Sequence, residues 1–240
     1  MPEATPPATG RPADALPTLL LAITVTTGLV DAVSVIGLGN VFVALMTGNV
    51  LFLGFALAGA PGFEIAHNAT ALAAFLVGAV AAGRVAGSAG TATRRRWLLS
   101  AAAVEASLLL VASFLARGYD PGRLAPVPVY YALVALTAVA MGFRNGTVKK
   151  LGVADLPTTV LTLTLASFAS EAAAGEYKGA ARRLASVACI LAGAVAGGLL
   201  VLHAGVAAAL VVAAAIVIVA SAAYALHPSS LQPAVAPPRS

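Results

Sequence analysis

Residues 28–54 read GLVDAVSVIGLGNVFVALMTGNVLFLG, an almost wholly apolar run that holds one Asp, two Asn, one Thr, one Ser and five Gly. The run is long enough to cross a lipid bilayer. A charged side chain at the bilayer centre costs about 2.5–3.5 kcal/mol on insertion scales, so Asp31 needs a partner or a task. A related pattern returns around Gly142–Thr164, and the two stretches together organise the chain.

The composition of the whole chain indicates a membrane protein. It has 240 residues, of which 60% are hydrophobic and 10% charged, whereas soluble domains carry roughly 25% charged residues. A chain of this size cannot hide so much apolar surface in a core, so that surface must face lipid. The net charge is +5. Because the basic residues lie in short loops between apolar runs, we expect membrane lipids as partners and no nucleic acid.

The sequence lacks the patterns of an enzyme or a metal site. It contains no G-x-S-x-G, Walker A or HExxH motif. The single cysteine, Cys189, excludes an internal disulfide, and the three His residues are scattered without metal-ligand spacing. We therefore predict no enzymatic activity, no metal and no cofactor.

Eight apolar segments can be placed along the chain, most of them near the ~20 residues that cross a bilayer. They are Thr18–Leu38, Val41–Ala60, Asn68–Ser88, Trp97–Ala116, Val127–Asn145, Leu156–Ala173, Arg183–Leu202 and Gly205–Leu226. Because these runs are too long and too uniformly apolar for barrel strands, the prediction is an all-α, polytopic transmembrane helix bundle of about eight helical segments with six to eight spans. Residues 1–16 and 227–240 are Pro-rich and are predicted to be disordered tails.

The two halves of the chain resemble each other, which predicts an internal duplication. Matching pairs at offsets of 111 to 115 positions are Gly28-x-x-Asp31 with Gly142-x-x-Asn145, Leu38-Gly39 with Leu151-Gly152, Met46–Gly48 with Pro157–Thr159, and 76–83 with 191–198. The predicted repeats are residues 17–117 and 126–226. An even number of spans in each half gives parallel repeats, whereas a re-entrant segment in each half gives inverted ones. Both arrangements stay open, and so does the orientation, because eight full spans would place seven Lys and Arg residues on each face.

The same motifs carry a resemblance to a known family. Gly28-x-x-Asp31-Ala32, Leu38-Gly39-x-x-Phe42, Met46-Thr47-Gly48-Asn49 and Leu53-Gly54 are similar to the signature of the YoaK-like family of bacterial inner-membrane proteins, a domain of unknown function. The second half resembles it through Gly142-x-x-Asn145-Gly146, Lys150-Leu151-Gly152 and Pro157-Thr158-Thr159-Val160. The resemblance covers roughly Leu19 to Tyr224. It implies a multi-pass protein of the bacterial inner membrane and supplies no substrate.

Two polar residues at matched positions, Asp31 and Asn145, and the neighbouring Arg144 are the first site candidates. Asp31 is either a proton, cation or amine site or a structural anion satisfied by helix dipoles and hydroxyls. Asn145 occupies the corresponding position in the second half, and such polar pairs at repeat interfaces are typical of transporter sites. Its neighbour Arg144 either turns inward and neutralises Asp31 or snorkels to the membrane surface.

Paired interruptions of the apolar runs give further candidates. Gly and Pro break the run after the first segment and again after the fifth, which indicates either a binding site or two tight turns outside the membrane. Thr47 and Asn49 then lie early in the second helix, and Thr158 and Thr159 begin the sixth. They are predicted to bind an anion at a helix start or to cap that start.

Glu105 lies in the middle of the fourth segment among Ala, Val, Leu and Ser. A lone acid there is either a proton-coupling group or a hydrogen-bonded clamp between helices. The small-residue pairs Gly83/Gly87 and Gly193/Gly197 predict close helix packing of the GxxxG type.

These features together predict a small-solute transporter or permease with a polar site at the repeat interface, formed by Asp31, Thr47, Asn49, Arg144, Asn145, Thr158 and Thr159. Glu105 would be the coupling acid, and one repeat would rock against the other. The alternative is a membrane scaffold or accessory protein without transport, in which each polar residue pairs tightly and no cavity exists. The solute stays unidentified, and assembly into oligomers stays open.

Overall fold

A computed structural model describes residues 14–88, 93–151, 166, 170 and 180–234 of the chain. The named elements of this part are helical. They are α1 (Leu16–Ala32) with a π-helical extension (Val33–Gly37), α2 (Met46–Leu57), α3 (Ile65–Ser88), α4 (Arg94–Ala116), α5 (Val127–Leu151), α6 (Ala180–Leu226) and a 3-10 turn (Pro228–Leu231). The predicted all-α class is confirmed.

Five of these helices are long and apolar enough to cross a membrane. The candidate spans are Leu16–Gly37, Ile65–Val85, Arg94–Ala116, Val127–Lys149 and Ala181–Leu226. A helix satisfies its own backbone hydrogen bonds, which lipid cannot do. The helical membrane bundle is therefore confirmed, whereas the count of eight segments stays a prediction.

Four of the eight predicted segments, the second, sixth, seventh and eighth, are not seen as separate membrane spans. The second, Val41–Ala60, contains only the short helix α2 of 12 residues. The sixth, Leu156–Ala173, lies largely outside the described residues. The last two are joined in α6, which is broken at Gly205, where φ is +86°. That backbone angle suits glycine and divides α6 into arms 180–204 and 206–226.

Helix α1 and the first arm of α6 touch through their backbones. A Cβ atom added at Gly28 would collide with the carbonyl oxygen of Ile190 and lie 2.8 Å from the Ala194 nitrogen. In the opposite direction, a Cβ at Gly193 would collide with the carbonyl oxygen of Val25. Glycines at the crossing thus let the two helices approach closely, as is common in membrane helix pairs.

Helices α3 and α5 form a second contact of the same kind. A Cβ at Gly78 would collide with the carbonyl oxygen of Val139, and a Cβ at Gly142 would collide with that of Phe75. Of the GxxxG predictions, Gly197 lies against Leu29 as expected, whereas the Cβ position at Gly83 is open.

The direction of each helix follows from contacts at its ends. At the end of the bundle where α1 begins, here the proximal face, Asp14 pairs with Arg94 at the start of α4, and Arg94 also bonds Gln232 after the end of α6. Leu16, Trp97, Leu151 and Tyr224 share one apolar cluster there. The starts of α1 and α4 and the ends of α5 and α6 therefore meet at this face.

The opposite end, here the distal face, collects the other helix termini. The Tyr119 hydroxyl, just after α4, donates to the carbonyl of Gly37 at the end of the α1 extension at 3.0 Å. His67 near the start of α3 packs on Tyr130 near the start of α5, with ring centroids 4.5 Å apart. Since α1 ends and α3 begins at the distal face, residues 38–64 leave and return on one side, and α2 does not connect the two faces.

Part of each predicted tail lies within the described residues. Asp14 is ordered and accepts the Leu16 N–H at 3.0 Å. Residues 227–234 pack onto the proximal face, where the Ser229 and Ser230 side chains are buried. The prediction of disorder is therefore wrong for residues 227–234, because hydrogen bonds to the starts of α1 and α4 fix them. Residues 1–13 and 235–240 lie outside the described residues.

Candidate functional site

Arg144 is the centre of a buried polar cluster. Its side chain turns inward from α5 and is 3% exposed. Nε donates to Oε2 of Glu105 at 3.0 Å, and Nη2 donates to Oε1 of the same carboxylate. The two groups thus form a bidentate ion pair between α4 and α5, the geometry that a guanidinium and a carboxylate share.

The remaining donors of Arg144 reach α1. Nη1 donates to the Ile23 carbonyl and to Thr27 Oγ1, each at 3.0 Å, and Nη2 donates to Thr26 Oγ1 at 2.5 Å. All five N–H groups of the guanidinium therefore have an acceptor. The cluster holds three helices together, and this complete pairing makes so deeply buried a charge tolerable.

Three outcomes for the predicted residues follow from this cluster. Arg144 does turn inward, but it pairs with Glu105 and not with Asp31, and it does not snorkel to the surface. Glu105 is 5% exposed and clamps two helices. Sequence reasoning considered the Thr27 hydroxyl only as a neighbour of Asp31, and it missed Thr26 and the bonds of both to Arg144, although hydroxyls in an apolar run were a usable signal.

A small cavity adjoins the Arg144–Glu105 pair. Its volume is about 20 Å³, which is room for about one water molecule. Its lining comes from α1, α4, α5 and the second arm of α6: Leu19, Ile23, Leu98, Ala101, Ala102, Glu105, Arg144, Thr147, Val148, Val217 and Ser221. The lining runs from the ion pair towards Leu98 and Val148, which lie nearer the proximal face.

Asp31 forms a second and separate polar centre. Its Oδ1 accepts the backbone N–H of Val43 at 3.2 Å and of Ala44 at 2.9 Å. These amides come just before α2, which begins at Met46, so the carboxylate lies where the helix dipole favours an anion. Asp31 thereby fastens the segment between α1 and α2 back onto α1. Of the hydroxyls near Asp31, that of Ser34 donates to the Asp31 backbone carbonyl and not to its carboxylate.

Asn49 fixes the same segment from the side of α2. Its Oδ1 accepts the Phe42 N–H at 2.9 Å, and its Nδ2 donates to the Phe42 carbonyl at 2.5 Å. Asn49 is fully buried, whereas Thr47 is exposed. Asn49 therefore satisfies the backbone of an irregular segment and does not cap α2, and Thr47 takes no part in either polar centre.

The other predicted residues are not gathered at one point. Asn145 is half-buried, and its Nδ2 donates to the Met141 carbonyl of its own helix at 2.9 Å. Neither Asp31 nor Asn145 lines the cavity beside Arg144. Thr158 and Thr159 lie outside the described residues. Within the described part of the chain, no group of three or more His, Cys, Asp or Glu could hold a metal ion.

Tyr119 joins two chain segments at the distal face. Burial of its ring raises the pKa of the phenol to about 12. The hydroxyl therefore stays protonated at physiological pH and donates to the Gly37 carbonyl. This bond ties the loop after α4 to the end of the first span.

The helices and the buried charges together define a multi-pass α-helical membrane protein. Comparison with known sequences then gives its family. The model for "Protein of unknown function (DUF1275)" matches residues 19–223, so the chain belongs to this family. A curated relative, the UPF0700 transmembrane protein YoaK of Bacillus subtilis (strain 168), is 36% identical over 152 residues, which are 62% of this chain and 64% of YoaK. The resemblance to YoaK-like proteins and the location in a bacterial membrane are confirmed.

Proposed function

We propose that this protein is a small-solute permease built from two inverted repeats, and that its work is transport and not catalysis. Secondary transporters commonly consist of such repeats, with irregular segments inside the membrane and a polar site where the repeats meet. The observation that carries the proposal is the repeated glycine contact between helices of opposite halves.

The two glycine contacts are equivalent under the predicted duplication. Gly28 of α1 matches Gly142 of α5, and Gly78 of α3 matches Gly193 of α6. Their neighbours match as well, since Gly28 meets Ile190 where Gly142 meets Phe75 at the corresponding position. Chance similarity between Ala- and Gly-rich helices would not place equivalent atoms in equivalent contacts, so the agreement supports a duplication.

The helix directions favour inverted repeats. Helix α1 begins at the proximal face and α5 begins at the distal face, so the matched helices run in opposite directions. The cause is α2, which does not cross and leaves three crossings in the first half: α1, α3 and α4. Among the described residues, the second half contributes α5 and the two arms of α6, for six crossings in this part of the chain.

The same directions give an orientation. At the proximal face or in the last turns next to it lie Arg84, Arg94, Arg95, Arg96, Lys149, Lys150, Arg182 and Arg183, whereas the distal loops carry Arg117 and Arg123. Cytoplasmic loops are the ones enriched in Lys and Arg. We therefore assign the proximal face to the cytoplasm, which replaces the even division that eight full spans would give.

The cavity beside Arg144 would lie where the proposed repeats meet. Its walls come from α1 and α4 of the first half and from α5 and the second arm of α6 of the second. Rocking of one half against the other would open this seam, and the Arg144–Glu105 pair would present its polar atoms to a solute. The Tyr119–Gly37 bond would then be the closed distal gate of the described conformation.

A scaffold without transport is the second candidate function. It is favoured by the completeness of the pairing, because Arg144, Glu105 and Asp31 all have partners and the cavity holds only about one water. Reconstituted protein decides between the two.

The decisive experiment is uptake into proteoliposomes, with a panel of neutral, zwitterionic, anionic and cationic small solutes followed by stopped-flow light scattering. A permease raises uptake of one class above that of empty liposomes, and Asp31→Ala lowers it by releasing the segment before α2. Asp120→Ala, a matched change of an exposed loop acid, leaves it unchanged. If every solute enters at the rate of empty liposomes, the scaffold is the function.

The inverted arrangement is tested by cysteine labelling in a Cys189→Ala background, which removes the chain's single cysteine. Pro61→Cys and Arg123→Cys should react with a membrane-impermeant thiol reagent from outside the cell, and Arg95→Cys from inside. Reaction of Pro61→Cys from the same side as Arg95→Cys would show that α2 crosses the membrane.

A further inference from the structure

A groove opens on the outside of the bundle between the start of α1 and the end of the second arm of α6. Its volume is about 250 Å³, whereas the cavity beside Arg144 measures about 20 Å³. Alanines from both helices form much of its wall: Ala15, Ala22, Ala220 and Ala223. Because alanine side chains are small, the space between the two helices stays unfilled.

The groove follows the two helices for about two turns. Ala15 and Ala22 are seven positions apart, so it extends about 10 Å along α1, within the leaflet next to the proximal face, whose hydrocarbon is about 15 Å deep. A volume of about 250 Å³ over that length gives a cross-section of about 25 Å². One extended hydrocarbon chain has about this cross-section, whereas a helix with its side chains is about 10–12 Å across. The groove thus fits an acyl chain and is too narrow for a helix of a second copy.

His227 lies at the mouth of the groove, on the proximal face. Its Nδ1 accepts the Ser229 backbone N–H at 3.2 Å. A neutral imidazole that accepts through Nδ1 carries its proton on Nε2, so Nε2–H is a donor. The exposed Thr18 lines the same end of the groove. Within the described residues neither His227 Nε2 nor the Thr18 hydroxyl has a hydrogen-bond partner, so both are free to bind a ligand oxygen.

Cations lie near this end of the groove. Helix α4 begins with three arginines. The first of them, Arg94, bonds Gln232, five residues beyond His227. Asp14 pairs with Arg94, whereas the other two arginines are exposed. Basic residues next to a membrane attract anionic head groups, so the charge at the mouth favours a lipid with net negative charge over a zwitterionic one.

We propose that this groove binds one anionic phospholipid of the cytoplasmic leaflet. One acyl chain lies between α1 and the second arm of α6, and a phosphate oxygen accepts from His227 Nε2–H and from the Thr18 hydroxyl. This inference goes beyond the permease and takes from it only the assignment of the proximal face to the cytoplasm. The bound lipid joins the start of the first half to the end of the second.

The first test uses Trp97, the single tryptophan of the chain, which shares an apolar cluster with Leu19 and Tyr224 of the groove. The protein is placed in phosphatidylcholine nanodiscs that contain a small fraction of phosphatidylglycerol with brominated chains, since bromine quenches tryptophan fluorescence only at short range. Quenching should exceed that by the same fraction of brominated phosphatidylcholine. Ala223→Phe fills the groove and should lower the quenching to the phosphatidylcholine level.

Ala222→Phe is the matched control for that variant. Ala222 and Ala223 are neighbours on the second arm of α6 and both are exposed, but only Ala223 lines the groove. The control should therefore keep the stronger quenching by brominated phosphatidylglycerol.

The second test addresses the head group by native mass spectrometry, with phosphatidylglycerol titrated onto the purified protein in detergent. His227→Asn keeps an acceptor for the Ser229 N–H and removes the Nε2–H donor. The affinity for phosphatidylglycerol should fall about threefold to tenfold, as expected for the loss of one hydrogen bond. His203→Asn, a matched change of an exposed histidine outside the groove, should leave the affinity unchanged.

Other outcomes of these tests would overturn the inference. Equal quenching by the two brominated lipids means that bulk lipid fills the groove. Loss of the preference in Ala222→Phe, or an unchanged affinity in His227→Asn, means that the lipid binds elsewhere. A wild-type dimer that Ala223→Phe converts to a monomer assigns the groove to a second copy of the chain. None of these results depends on solute uptake, so the permease is tested separately.

Discussion

Helices α1 and α5 pack alike but carry different charges. Each contacts a helix of the other half through a glycine, Gly28 in α1 and Gly142 in α5. Under the proposed duplication the positions that follow differ, because Val30 and Asp31 in α1 would correspond to Arg144 and Asn145 in α5. Asp31 fastens a segment of its own half, whereas Arg144 reaches across to α1 and α4.

The comparison separates what packing requires from what charge adds. Backbone contact between helices needs small residues at a crossing, and either half supplies them. A buried charge needs a specific partner, and here the partners differ: Asp31 accepts amides of its own half, whereas Arg144 pairs with Glu105 of the other half. Changes at the glycines should therefore act alike in the two halves, whereas changes at the charges should not.

The largest effect is expected from Arg144→Met. The variant leaves Glu105 buried without its partner, which typically costs about 3–5 kcal/mol. The double variant Arg144→Met with Glu105→Leu should regain much of that loss, because no charge is then left unpaired. Unfolding in a denaturing detergent measures both, with the exposed Arg123→Met as control. A single variant as stable as the wild type would show that the ion pair does not stabilise the bundle.

Gly28→Ala and Gly142→Ala should destabilise the protein by similar amounts, about 1–3 kcal/mol each, because the new methyl group overpacks a backbone contact. Gly83→Ala is the matched control, since its Cβ position is open. There the better helix propensity of Ala should stabilise by about 0.5–1 kcal/mol. The same unfolding assay applies. Very different costs at Gly28 and Gly142 would contradict equivalent packing of α1 and α5.

Asp31→Ala should cost about 1–3 kcal/mol because the Val43 and Ala44 amides lose their acceptor. Asp31→Asn should cost less, since the amide oxygen still accepts. The matched change Asn145→Ala should have a smaller effect, because Asn145 bonds only a carbonyl of its own helix. Reactivity of a cysteine placed at Phe42 reports the release of the segment. Equal effects at Asp31 and Asn145 would show that the charge does not distinguish the halves.

The smallest effect concerns pH at the proximal face. Burial alone would raise the pKa of Asp14, but the Leu16 N–H and the Arg94 guanidinium hold it below its usual value. Its contribution is therefore present above the usual aspartate pKa and is lost as the pH falls through the lowered one. The pair is partly exposed, so we expect less than about 1 kcal/mol. Melting of the wild type and Asp14→Asn should differ at neutral pH and converge in acid.

The sequence predicted individual residues better than it predicted their partners. Asp31, Glu105 and Arg144 stand out because a charge in an apolar run needs an explanation wherever it points. Their pairing could not be predicted, because Glu105 and Arg144 are 39 positions apart. The sequence does not say how the two helices are rotated towards each other. The partners of Asp31 are backbone amides. Nearly every residue has one, so the sequence gives no sign of which amides will bind.

By itself, the sequence determined that the chain forms apolar helices in a membrane, and it marked the glycines and buried charges that need partners. Those results depend on local composition and on the cost of polar groups in lipid. Only the tertiary structure decided that α2 turns back at the distal face, that Arg144 binds Glu105, and that α1 and α5 point in opposite directions. These depend on where distant helix ends meet, and hydropathy carries no information about that.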